Sequence, residues 1–114
     1  MLFRSWRRNT LYVHADINTL QLQQHDTIIA FEVIEHLDNG LEIAEKLKQY
    51  CKRLLISVPY KEPKGFWGEH HKLHELSHED FPDFEPQFID ADGYVLNYPN
   101  PNTFNLMLLR WDNA

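Results

Sequence analysis

The stretch Asp26-Thr-Ile-Ile-Ala-Phe-Glu-Val-Ile-Glu-His-Leu-Asp38 decides how this chain folds. Thr27–Phe31 is a near-continuous apolar run rich in β-branched residues, the pattern of a strand buried on both faces in a parallel sheet. Glu32–Leu37 then mixes acids, apolar residues and a histidine, which suits a strand-to-helix junction. Asn39 and Glu42 have the spacing of an N-cap and its capping box. From there Leu41, Ala44, Leu47, Cys51 and Leu54 recur at helical spacing, and Ile43 and Tyr50 broaden the stripe. Lys46, Lys48, Lys52 and Arg53 fall late in that segment, where cations suit the helix C-terminus. Leu54–Val58 is a second buried strand, stopped by Pro59. Strand, helix and strand in this order make a βαβ unit with a right-handed crossover.

Outward from this unit the signals are shorter. Residues 1–9 read as a short helix or arm with Leu2, Phe3 and Trp6 on its apolar side. Leu11–Asp16 reads as a short strand ending in an acid, and Leu20 and Leu22 are the core anchors of the polar stretch after it. Residues 59–69 form a loop with Gly65 and Gly68 and exposed Phe66 and Trp67. Residues 70–81 are His-rich and then helical, with Ser77, Glu79 and Asp80 at the helix start. Phe84–Ile89, Tyr94–Tyr98 and Thr103–Trp111 are strand candidates, with a turn at Asp92-Gly93. Their connections are too short for crossover helices, so this end of the sheet is expected to be antiparallel.

Composition bounds the function. A chain of 114 residues is one domain, and 43% hydrophobic with 25% charged residues is a globular mixture. No apolar run reaches the length of a membrane span, and no signal-peptide core is present, so a cytoplasmic location without membrane contact is expected. The single cysteine, Cys51, falls on the apolar stripe as a packing residue and fits a reducing compartment. The net charge of −6 is concentrated in residues 69–92, which hold eight acids against Lys72. Such a surface repels phosphate backbones and argues against duplex DNA as a partner.

The Asp26–Asp38 stretch, with its EVIEHL run, resembles the fourth strand and following loop of class I S-adenosylmethionine-dependent methyltransferases. Leu54–Pro59 resembles their fifth strand, Gly65–Phe81 the loop and helix entry that often carries a histidine, and Leu11–Asp16 their third strand. The resemblance covers residues 11–111. It implies an α/β fold: a partial Rossmann-like methyltransferase fold, mostly parallel, with antiparallel C-terminal strands. It implies methyl transfer to an oxygen or nitrogen acceptor, a small molecule or an RNA. By residue, it implies Asp16, Ile17, Phe31 and Glu32 at S-adenosylmethionine, and Glu32 or His36 as acceptor base. The family's glycine-rich loop and ribose-binding acid have no counterpart, since the glycines stand at 40, 65, 68 and 93. The chain is therefore expected to be a single truncated domain, 1–114, that binds the cofactor weakly or not at all. The alternative is a non-catalytic module that oligomerises or binds a partner.

Glu32, Glu35 and His36 stand at i, i+3 and i+4, which on a helical turn share one face. Two carboxylates and an imidazole converging there suit Mg, Mn or Zn, with a fourth ligand from His70, His71 or His74. Two methyltransferase groups use E-x-x-E-H for a divalent metal: ubiquinone-pathway O-methyltransferases and small-RNA 3′-terminal 2′-O-methyltransferases. That resemblance implies Glu32, Glu35, His36 and His71 as ligands. In other members the same pattern holds no metal; there Glu35 caps a helix and His36 bonds the neighbouring loop. His70, His74 and His78 make a second candidate face if their segment is helical, and a solvated polar face otherwise. Loss of the first two family strands would leave a flank of Thr27–Phe31 open. Either the N-terminal segment repacks there or two chains pair across the gap as a homodimer.

Overall fold

The computed structural model describes residues 2–4, 10–66 and 68–113, so Trp6 and Trp67 lie outside the described residues. The predicted βαβ unit is present: β3 (His25–Phe31), α1 (Gly40–Lys48) and β4 (Cys51–Pro59). β3 and β4 run parallel, Ala30 opposite Ile56 and Phe31 opposite Ser57. β5 (Glu85–Asp90), β6 (Val95–Leu96) and β7 (Asn105–Asp112) complete a five-stranded sheet in the order β3-β4-β7-β5-β6. The β4–β7, β7–β5 and β5–β6 pairings are antiparallel. The mixed α/β sheet thus begins parallel and ends antiparallel; its parallel part is confined to β3 and β4.

One face of the sheet carries the core. Ala30, Leu54, Ile56, Val58, Phe88, Met107 and Leu109 pack with Ile43, Ala44 and Leu47 of the helix in one core. Burying one such aliphatic side chain contributes roughly 1.5–3 kcal/mol. The sheet's other face carries Phe31, Leu55, Gln87, Leu108 and Arg110.

The structure corrects several expectations. Thr27–Phe31 is not buried on both faces: β3 is an edge strand, and Ile29 and Phe31 stay 58% and 48% exposed. The helix ends at Lys48, and Cys51 and Leu54 belong to β4, where both are buried. Asn39 precedes the helix but makes no side-chain cap; its amide donates to Asn18 Oδ1 at 2.7 Å. Leu2–Arg4 is a strand, β1, paired antiparallel with β2 (Leu11–Val13) in a separate two-stranded sheet, so Leu11–Val13 does not join the main sheet. Ile17 and Leu22 pack against the core beside β3. Residues 70–81 hold only the 3-10 turn His78–Asp80, which Ser77 and Asp80 close as a capping box. No helix among the described residues is long and apolar enough to cross a membrane.

Candidate metal centre

The carboxyl ends of parallel strands are where α/β sheets place their ligands. Here the chain leaves β3 through Glu32 and leaves β4 just before Glu62. After Glu32 it winds one 3-10 turn, Ile34–His36, which buries Ile34 and Glu35. Gly40 lets this turn sit against the helix start: a Cβ there would lie 2.2 Å from the Ile34 carbonyl oxygen and 2.9 Å from Leu73 Cδ1.

The segment carrying the histidines is hydrogen-bonded on two sides. Lys72 and Leu73 donate their N–H groups to the Glu35 carbonyl at 2.7 and 3.0 Å. Lys61 N–H reaches the Leu76 carbonyl at 2.7 Å, and Glu75 N–H the Glu62 carbonyl at 2.8 Å. His71 is thereby held against His36, their rings edge to face at 4.5 Å. Glu32, Lys61 and Glu75 are the non-glycine residues with positive φ (55°, 49° and 54°) among those described. All three border this site. Each such backbone costs about 1–3 kcal/mol and persists only where its surroundings enforce it.

Glu35, His36 and His71 offer one ligand atom each within 4.8 Å of one another. Glu35 is 1% exposed, and neither of its carboxylate oxygens has a hydrogen-bond partner. Burial, reinforced by the negative charge of Glu32, holds its pKa above the ordinary 4.5. His36 Nδ1 lies 2.9 Å from the His70 carbonyl, which can only accept, so Nδ1 carries the proton. In the neutral ring Nε2 then holds the lone pair, and it lies 3.5 Å from Glu35 Oε1. Two acceptors facing each other need a proton or a cation between them. His71 Nδ1 lies 2.6 Å from Glu62 Oε2 and by the same chemistry donates to it.

Glu32 stands at the rim. Its N–H donates to the Ser57 carbonyl and to Ser57 Oγ, each at 3.0 Å, and Ser57 Oγ donates to its carboxylate at 3.2 Å. Partial burial raises its pKa; the Ser57 bond and the nearby His71 and His36 oppose that rise. Of the four expected metal ligands, three therefore converge and Glu32 adds charge beside them. His36 also bonds the neighbouring loop, as the reading without a metal holds, but Glu35 caps nothing.

Asp16, Ile17 and Phe31 are the other residues assigned to the methyl donor. The Asp16 carboxylate accepts from Asn18 N–H at 2.9 Å within its own turn, and Ile17 packs on the core. Phe31 points to the sheet's open face. His70 and His78 are exposed, and His74 Nδ1 lies 4.0 Å from Glu62 Oε1, so no second histidine face forms. Ser57, Glu62 and the His70 carbonyl were not anticipated. Ser57 carried a faint signal, a hydroxyl near the end of an apolar strand; Glu62 carried none, since nine residues from His71 is no regular-structure neighbour. Comparison with family models, with curated proteins and with solved structures returns no match to this chain.

Proposed function

We propose that this chain is a divalent-metal-binding domain corresponding to the acceptor side of a partial Rossmann-like methyltransferase fold, with Glu35, His36 and His71 as ligands and Glu32 at the rim. One observation carries the reading: a fully buried carboxylate without hydrogen-bond partners faces two imidazoles whose Nδ1 protons are held by oxygen acceptors. A bound cation would supply Lewis-acid polarisation of an acceptor hydroxyl. The chain's own residues fix the imidazole rings, and Glu32 holds a carboxylate where it can accept a proton. Mixed nitrogen and oxygen ligands favour Zn or Mn over Mg.

No step of methyl transfer is assigned to this chain alone. Titration calorimetry of chelator-stripped protein with Zn2+ and Mn2+ tests the metal reading. Saturable binding that Glu35→Ala abolishes is expected; no heat from wild type refutes it. Tight S-adenosylmethionine binding would overturn the assignment on the donor side.

A second reading, an oligomerising or partner-binding module, is favoured by the exposed Ile29 and Phe31 on the free edge strand. Sedimentation decides it: a monomer at high concentration would remove the homodimer.

A further inference from the structure

We propose that Glu62 is the positioning residue of this centre, its buried carboxylate orienting His71 and setting which ring nitrogen can take a metal. The inference rests on the metal reading of the cluster. Glu62 is 2% exposed although it lies in a loop between Lys61 and Pro63. A carboxylate is rarely buried without a partner that makes up for lost water. Its partner is His71, at 2.6 Å, while its other oxygen lies 4.0 Å from His74 Nδ1.

The backbone supports the same contact. Glu62 follows Lys61 at φ 49° and accepts through its own carbonyl from Glu75, itself at φ 54°. Two strained residues thus flank the stretch that brings Glu62 to His71. Binding a metal at Nε2 requires the Nδ1–H form of the ring, and a carboxylate on Nδ1–H both selects that form and raises the ring's basicity. Glu62 touches neither the metal position nor a substrate; it acts through His71.

The test has two readouts on the whole chain. Long-range proton–nitrogen NMR of apo wild type reports which His71 nitrogen carries the proton; Nδ1–H is expected. Competition with a chromophoric chelator reports Zn2+ affinity of wild type and Glu62→Gln, with circular dichroism confirming the fold. Glu62→Gln is expected to bind Zn2+ about 10–100-fold more weakly. A folded Glu62→Gln with wild-type affinity overturns the role of Glu62 alone. So does wild-type His71 protonated at Nε2, a result that needs no variant and stands even if Glu62→Gln does not fold. A wild type that takes up no metal overturns the metal reading and this role together.

Discussion

Glu35→Gln should make the metal-free protein more stable and the metal-loaded protein less so. The carboxylate is buried, and neither oxygen has a hydrogen-bond partner. An unsatisfied buried polar group costs about 1–3 kcal/mol, and a charged one more. Glutamine keeps the volume, removes the charge and offers an N–H toward His36 Nε2, now 3.5 Å from Glu35 Oε1. That hydrogen bond is worth about 0.5–1.5 kcal/mol, against which the second amide hydrogen remains unmet. The net gain is about 1–2 kcal/mol, or roughly 4–8 °C in Tm for a domain of this size. The pH dependence has a definite sign. Because the folded pKa lies above 4.5, Glu35 contributes stability that is complete below pH 4.5 and lost as pH rises through the folded value. Glu35→Gln should therefore flatten the decline of Tm above pH 4.5 in chelator. Saturating Zn2+ at about 100 times its Kd should add about 2.7 kcal/mol to wild type and nothing to the variant. The assay is scanning calorimetry from pH 4.5 to 8, with EDTA or Zn2+. A variant less stable than wild type in EDTA at pH 7.5, or one that Zn2+ stabilises equally, refutes the reasoning.

Gly40→Ala forces a Cβ against the Ile34 carbonyl and should cost about 1–3 kcal/mol by urea unfolding, with weakened Zn2+ binding because the displaced turn carries Glu35 and His36. Ile56→Ala, at a fully buried position, should cost about 2–5 kcal/mol in the same assay. Phe31→Ser, at a half-exposed position on the open face, should cost about 1 kcal/mol and reduce light scattering on concentration. The Asp90 carboxylate accepts from Asp92 and Tyr94 N–H and from Asn100 Nδ2, and the Tyr94 bond leads in holding its pKa below 3.8. Its stabilisation is present above pH 3.8 and lost as pH falls through the lowered value, so Asp90→Asn should show a flatter acid limb in thermal melts.

Local patterns made the central unit legible. The β-branched run 27–31, the helical stripe and LLISV each carry one periodicity, and the structure follows their order. Boundaries failed where a helical spacing runs past the helix end: Cys51 and Leu54 continue the spacing from Leu47, yet both are buried residues of β4. Burial of β3 failed because an apolar run reports what a strand can bury, not what covers it. The EVIEHL segment was legible as a cluster of acids and a histidine leaving the strand end, but the shared helical face was not: the turn is a 3-10 one over Ile34–His36, and Glu32 precedes it at positive φ. Glu62 was not, because its meeting with His71 depends on how a loop closes across the sheet end. The assignment of Asp16, Ile17 and Phe31 rests on family resemblance and not on any local pattern.

The strand order has a consequence in time as well as in space. β7 follows β5 and β6 along the chain but lies between β4 and β5, joining Arg53 to Asp112 and Glu85 to Arg110. The unit from β3 to β4 and the hairpin of β5 and β6 can each form from near neighbours. Neither shares a ladder with the other until β7 enters, and that closure joins positions far apart in sequence, the slow kind of event. β7 therefore acts as the wedge of assembly. Substitutions at Met107 and Leu109 should slow folding if the wedge enters before the barrier and speed unfolding if it enters after, and a chevron analysis separates the two.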